Sequence, residues 1–279
     1  MSIAVITGAA SGIGLSMAKI AILKGMSVVM TDVNLAGLQE AADTLTKLAK
    51  DTLGKDAGQI LIKGGNISKY SDVEIIHAAA METFGSVDLL VNCAGVLINK
   101  RIWEHEASDW DFVMGVNFRG MTHMISAFVP DMIKRGAPAH IVNFGSLASF
   151  FPSPMMGAYS CSKFAILAMT ETLKYELDEA APHIGVSLVA PGPVKTSIIR
   201  SNDSEVLKRD SKDGVKTREQ MGGLTELYGM EPDEAAHIIF EAVAENRFWV
   251  FTHPDFMVGM TPRTTDMLSG ENPSYNPLA

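Results

Sequence analysis

Cysteine is scarce: Cys93 and Cys161 are the only two in 279 residues. They could close one disulfide at most. No secretory signal precedes the first strand-like segment, so a reducing, cytoplasmic compartment is expected. With two Cys and seven scattered His there is no zinc-ligand spacing, and no metal is expected. His-Glu-x-x-His and a Walker lysine are also absent, which removes two common enzyme classes. No apolar run reaches the ~20 residues that a membrane helix needs, so no membrane span is expected. Positive charge is in short supply, with 23 Lys and Arg against 32 Asp and Glu and a net charge of −9. Nucleic acids and anionic membranes select basic patches, so neither is expected as a partner. Hydrophobic residues make up 47% of the chain, enough to bury a sizeable core.

What is present begins with an apolar run, Ile3 to Ile6, followed by a glycine turn, Thr7 to Gly14, and a helical pattern from Leu15 to Lys24. Strand, glycine turn and helix in that order suit a dinucleotide pyrophosphate. Glycine lets the backbone approach closely, and the helix start offers free N–H groups and the positive end of its dipole. A tight turn without a ligand would use the same glycines. The next strand, Ser27 to Thr31, ends in Asp32, about twenty residues after the glycine turn. A carboxylate there can accept from the adenosine ribose hydroxyls and repels a 2′-phosphate. No Arg or Lys lies in the glycine turn. Both features favour NAD over NADP, although a helix-capping Asp would read the same way.

Strands are predicted over 59–63, 87–91, 140–144, 186–189 and 248–251. Helices are predicted over 35–50, 71–84, 108–135, 159–179 and 232–246. The stretch 108–135 reads as one long helix, apolar on more than one face, with Asn117 as a polar exception. Residues 197–230 read as a long irregular lid, and the proline-containing tail after His253 reads as extended. Strands and helices alternate with no internal repeat. The expected fold class is therefore α/β, a single-domain Rossmann-type doubly wound parallel sheet of about seven strands with helices on both faces. The domain is placed at 1–253 and the tail at 254–279.

Tyr159-Ser160-Cys161-Ser162-Lys163 places a phenol and an ammonium one helical turn apart. A nearby cation favours the phenolate, so the pair can transfer protons. Alone, this spacing occurs by chance on many helices.

Taken together, Thr7–Gly14, Asn92-Cys93-Ala94-Gly95, Asn117, Ser146, Tyr159-x-x-x-Lys163 and Pro191-Gly192 resemble the short-chain dehydrogenase/reductase family, over Ile3 to about Phe251. The resemblance implies roles. Tyr159 is the expected acid/base, and Lys163 lowers its pKa and holds the nicotinamide ribose. Ser146 orients the substrate oxygen, and Asn117 holds a water that links Lys163 to solvent. For NAD, Gly8, Ser11, Gly12, Ile13 and Gly14 surround the pyrophosphate and adenosine. Asp32 takes the ribose, and Asn66 and Ile67 flank adenine. Asn92, Ala94 and Gly95 line the groove. Pro191, Gly192, Val194 and Thr196 reach the nicotinamide end.

Three residues depart from the family pattern. Asn66 stands in place of Asp, and Cys93 stands in place of a second Asn and is expected to be a small buried residue. Phe144 stands in place of a smaller residue and is expected to narrow the pocket. Substrate contacts are expected from Ser146, Ala148, Met156, Tyr159, Pro193 and Ile198, with Val96–Ile98, Leu147, Phe150, Met155, Ile199 and the segment up to Met230 around them. These side chains are mostly apolar, so a bulky hydrophobic or aromatic secondary alcohol or ketone is the expected partner. The Pro191–Ile198 stretch, with the later Phe251-Thr252-His253-Pro254, is similar to lignin-type Cα-dehydrogenases. The resemblance also implies a homodimer or homotetramer. A non-catalytic dinucleotide-binding regulator and an NAD-dependent epimerase or dehydratase are the competing readings.

Overall fold

Strand β1 (Ile3–Thr7) is buried along its whole length because helices cover both faces of its sheet. A strand with two dry faces needs a continuous apolar run, which is what the sequence supplies. The computed structural model describes residues 2–199, 204–273 and 275. After β1 come α1 (Gly12–Leu23), β2 (Ser27–Asp32), α2 (Leu35–Leu53), β3 (Ile60–Gly64), α3 (Tyr70–Phe84) and β4 (Leu89–Asn92). Next are α4 (Ala107–Met114), α5 (Gly120–Arg135), β5 (Ala139–Phe144), α6 (Gly157–Ala180) and β6 (Ile184–Ala190). The described chain closes with α7 (Ser204–Leu207), α8 (Lys212–Tyr228), α9 (Pro232–Ala244), β7 (Trp249–Phe251) and α10 (Met260–Ser269).

The seven strands form one parallel sheet in the order β3-β2-β1-β4-β5-β6-β7. This is the expected single-domain Rossmann-type architecture. One core layer packs Met17, Ile20, Leu38 and Ile239 of α1, α2 and α9 on the sheet. The opposite layer packs Val73, Ile76, Met124 and Phe128 of α3 and α5, with Leu177 of α6. The chain leaves β1 toward β2 and β3 and returns on the other side at β4. This reversal opens a crevice beyond the carboxyl ends of β1 and β4, where ligands bind in such sheets. Among the described residues, no helix is long and apolar enough to cross a membrane.

Three sequence expectations are corrected. The helix over 108–135 is interrupted by a π-helical turn, Gly115–Arg119, in which Gly120 N donates to Gly115 O. The segment 197–230 is mostly helical rather than irregular, with α8 capped by the Ser211 hydroxyl, which accepts from Gly214 N. Residues 200–203 of that segment lie outside the described residues. The tail is not extended: Pro254–Gly259 forms 3₁₀ turns that lead into α10. Of the tail, residues 274 and 276–279, Pro277 among them, lie outside the described residues.

Candidate active site

The glycine turn joins β1 to α1. Gly8 and Gly12 have φ of 69° and 55°, a left-handed backbone that other residues adopt only with strain. A Cβ on Gly14 would overlap the Gly8 carbonyl oxygen, so the third glycine lets the helix start fold back on the turn. The Ser11 side chain makes no capping bond to α1, and the first turn of α1 has no acidic residue. The hydroxyl of Ser11 lies 3.0 Å from that of Ser197. The helix-start N–H groups, unfilled by a carboxylate, suit a pyrophosphate. Asp32 ends β2 beside this turn. Its carboxylate accepts from Ala10 N at 3.1 Å and from Asn34 N at 2.9 Å, which ties the turn to the strand end.

Thr7 does work that sequence reading did not assign to it. Its hydroxyl accepts from Cys93 N at 2.9 Å and Ala94 N at 3.0 Å, pinning the loop after β4 against the glycine turn. That places half-buried Ala94 and Gly95 at the crevice. Asn92, expected to line the groove, is buried instead and donates to Asn143 Oδ1 at 2.9 Å inside the sheet. Ile13, Ile67 and Val194 also bury their side chains in the core, so only their backbones are left to face a cofactor. Asn66 Oδ1 accepts from the Ser68 N–H and hydroxyl, which shapes the turn after β3. On the far side, Gly192 N donates to Thr252 Oγ1 at 3.0 Å, and Pro191 O accepts from Leu147 N at 3.1 Å. Thr196 lies against Gly12: a Cβ there would stand 3.0 Å from the threonine methyl.

Tyr159, Lys163, Ser146 and Asn117 converge at the ends of β4 and β5. Tyr159 and Lys163 are buried on α6, with the ammonium 5.5 Å from the phenol ring centroid. Burial pushes the Tyr159 phenol up, a hydrogen bond with the Ser146 side chain lowers it, and Cys93 raises it further. The Lys163 ammonium donates to Phe144 O at 2.7 Å, and burial brings it down to about 8. Ser146 sits just past β5, where its hydroxyl accepts from Ala148 N at 3.1 Å.

Asn117 is aimed inward by the π turn. Its Oδ1 accepts from Val96 N at 2.8 Å, and its Nδ2 donates to Val96 O and to Ser162 Oγ, both at 3.0 Å. The amide therefore holds the loop after β4, a structural task beyond the water-holding role expected of it. Cys93 is half-buried and free, and burial pushes its thiol up to about 12, so it stays protonated near neutrality. Among the described residues, no cluster of His, Cys, Asp and Glu could hold a metal ion.

The substrate side is an apolar cluster of Leu97, Ala148 and Tyr159, packed by Met156, Ile198 and Met221. Four expected residues, Ala148, Met156, Tyr159 and Ile198, meet here. Met221, from α8, was not singled out in the sequence. Pro193 enters through its backbone: its carbonyl accepts from Met230 N at 3.0 Å, closing the base of the segment above the pocket. Three expectations are corrected. Phe144 turns into the sheet core with Val142 and Val189 and does not narrow the pocket. Phe150 packs on Trp249 and Phe251. Val96 and Ile98 point toward Val113 and Ala158, because alternate residues of an extended segment face opposite sides and Leu97 takes the pocket side. Met155, with φ of 67°, holds the loop before α6 in a strained left-handed turn.

Residues 2–206 match the short chain dehydrogenase family. A CLA biosynthesis dehydrogenase/reductase of Lactiplantibacillus plantarum is 31% identical over 258 residues, covering 90% of this chain and 87% of that protein. A C alpha-dehydrogenase of Sphingobium sp. is 30% identical over 264 residues, covering 92% and 82%. The solved structure of a short chain dehydrogenase/reductase from Burkholderia phymatum in complex with NAD matches with a TM-score of 0.91 at 33% identity, over 100% of this chain and 98% of that one.

Proposed function

This chain belongs to the short-chain dehydrogenase/reductase family, and from that premise we propose that it is an NAD-dependent oxidoreductase. Its substrate is a bulky, uncharged secondary alcohol or the matching ketone, and Tyr159 is its acid/base. The observation that carries the reading is the buried Tyr159, whose phenol is influenced by the Ser146 side chain and whose ring packs with Leu97, Ala148 and Ile198.

The residues present fit NAD. Two left-handed glycines and an open helix start suit its pyrophosphate, and the Asp32 carboxylate keeps lone pairs for ribose hydroxyls. When bound, the nicotinamide accepts or supplies the hydride. The chain's own residues handle the proton. Burial keeps Tyr159 a neutral phenol, ready to donate to a ketone oxygen held by Ser146. In the oxidation direction the phenol must lose that proton, and a protonated Lys163 favours the phenolate. With Lys163 near 8, the ammonium sits close to its own titration and can hand a proton onward.

Gly95 lies beside this route. A Cβ there would stand 3.5 Å from Asn117 Oδ1 and 3.9 Å from Lys163 Nζ, and we place the expected relay water in that space. Apolar walls with an adaptable Met at each side suit a hydrophobic or aromatic substrate. The named C alpha-dehydrogenase relative is in keeping with an aryl alcohol. The reading includes a cytoplasmic homo-oligomer, with two free cysteines in keeping with a reducing compartment and exposed Ile133 and Tyr175 on α5 and α6 in keeping with a subunit contact.

The test is NAD reduction, followed by absorbance, over aromatic, steroidal and alicyclic secondary alcohols, with Tyr159→Phe beside the unmodified chain. Turnover of at least one class is expected, with a loss of about a thousandfold in the variant and NAD affinity kept within about twofold. Undiminished turnover in Tyr159→Phe would remove the residue from this role. No hydride transfer across the panel would favour a dinucleotide-binding regulator instead.

A further inference from the structure

Arg218 lies on α8, over the substrate pocket. Its side chain is 7% exposed and that of its partner Asp210 is 0% exposed. A guanidinium has five N–H donors, and here all five have acceptors. Nε donates to Asp210 Oδ2 at 2.6 Å, and Nη2 donates to Asp210 Oδ1 at 3.2 Å and Leu97 O at 2.8 Å. Nη1 donates to Ile198 O at 3.0 Å and Ile199 O at 3.2 Å. Asp210 also accepts from Asn99 N at 2.7 Å, and Asn99 O accepts from Ser211 N at 3.2 Å. α8 approaches the loop after β4 so closely that a Cβ on Gly214 would overlap the Asn99 carbonyl oxygen.

The carbonyls that Arg218 holds belong to two separate segments, the loop after β4 and the stretch after β6, and both reach the cluster around Tyr159. Leu97 and Ile198 both pack in the cluster around Tyr159, with Met221 one helical turn along from Arg218. A neighbouring tie fixes the same end of the segment: Asp109 on α4 accepts from Lys100 Nζ at 2.7 Å and Arg209 Nη1 at 3.3 Å.

We propose that the Asp210–Arg218 pair is a positioning device for the substrate: it sets the spacing of the Leu97 and Ile198 walls, and, having no free donor, it makes the pocket select against carboxylates. The proposal rests on the alcohol–ketone reading above. A buried Arg beside an active site is often an anion anchor, with bidentate donors aimed at a substrate carboxylate. Here the fork is spent on Asp210 and three main-chain carbonyls. The apolar cluster beside Tyr159 contributes Leu97, Ala148, Met156, Ile198 and Met221, none of which can pair with a charge. A substrate carboxylate placed against that cluster would be buried without a cationic partner, which is strongly disfavoured.

The experiment compares 1-phenylethanol, 2-propanol and mandelate with NAD in the unmodified chain, Asp210→Asn and Arg218→Lys. Amide hydrogen exchange at Asn99 and Ser211 is followed alongside. The unmodified chain is expected to favour 1-phenylethanol over mandelate by about a hundredfold or more. Both variants are expected to lower the ratio of kcat/KM for 1-phenylethanol to that for 2-propanol by about tenfold, mainly through KM, while the Kd for NAD stays within about twofold. Exchange at Asn99 and Ser211 is expected to quicken, with that of the sheet amides unchanged.

An equal loss with both alcohols, or an unchanged ratio, would overturn the positioning role. Preference for mandelate that disappears in Arg218→Lys would make Arg218 an anion anchor and overturn the proposal. If the unmodified chain turned over neither alcohol, the alcohol–ketone reading would fall. The exchange rates would then decide the clamp separately: faster exchange in the variants supports it and unchanged exchange overturns it.

Discussion

His140 and Lys163 are both driven toward neutrality by burial, and each makes stability depend on pH in its own window. His140 sits in β5 at 7% exposure, with Nε2 2.8 Å from Ser187 Oγ, and burial lowers its pKa to about 4 from an ordinary 6.5. The Ser187 hydroxyl donates onward to Arg247 O, so the ring nitrogen facing it carries the proton as a neutral tautomer. Between pH 6.5 and 4 the unfolded chain binds a proton that the folded chain refuses, so stability falls as the pH is lowered through that range. The loss attributable to this residue is roughly 3 kcal/mol. Lys163, lowered to about 8 from 10.5, has the same sign: stability falls as pH drops from 10.5 to 8. Urea unfolding at a series of pH values from 7 to 4 checks the first window. The difference in stability between the native chain and His140→Gln is expected to shrink or reverse toward acid, and parallel curves would show that His140 does not titrate as described.

At the scale of elements, the π turn between α4 and α5 is the piece that converts a helix into a site component. A regular helix through Gly115–Arg119 would rotate Asn117 relative to the loop after β4. The extra residue in the turn brings the amide against Val96. Asn117→Ala leaves the Val96 N–H and C=O without these partners in a partly buried place, a cost of about 1–3 kcal/mol. Chemical denaturation is expected to read that loss, and turnover is expected to fall further than NAD affinity does. A change within about 0.5 kcal/mol would mean that the loop after β4 holds itself.

Neither this turn nor α8 was legible in the sequence, for physical reasons. The inward face of α8 is Gly214, Arg218, Met221 and Thr225, spaced as one helical stripe but with a single apolar side chain. Hydrophobic periodicity cannot register a face that packs through a glycine and a satisfied guanidinium. α10 was hidden by Pro262, which sits in the helix's first turn, where its missing N–H costs nothing. Legible by contrast were the seven strands, because a sheet covered on both sides demands uninterrupted apolar runs. The residues that meet around Tyr159 were legible too, because Ser146 stands at a strand end and Lys163 lies one helical turn from Tyr159. Asn92 and Phe144 were misplaced for a common reason: sequence position sets a residue at a strand end but not which side of the sheet its side chain takes.

At the scale of the whole molecule, the strand order places the crevice for a dinucleotide, and on the proposed reading Asp32 selects NAD. The reversal between β1 and β4 sets the glycine turn at the centre of the carboxyl edge, one strand away from the end of β2. On that reading a cofactor bound there would meet Asp32 at its adenosine end, within a chain whose net charge is −9. A 2′-phosphate brought to that place faces a fixed carboxylate with no Lys or Arg in the turn to offset it. Ligand that binds only the folded state stabilises it by about 2.7 kcal/mol at a hundredfold excess over Kd, which for a chain of this size raises Tm by several degrees. NAD is therefore expected to raise Tm by that amount, and NADP at equal concentration by much less. Asp32→Ala would also release Ala10 N and Asn34 N and so loosen the turn itself. Asp32→Asn isolates the charge, because the amide oxygen can still accept one of those bonds. In that variant the NADP shift is expected to grow toward the NAD shift while the unliganded Tm changes little. Equal shifts from both cofactors in the unmodified chain would remove the NAD preference. A preference that survives Asp32→Asn would place its origin elsewhere than in this carboxylate.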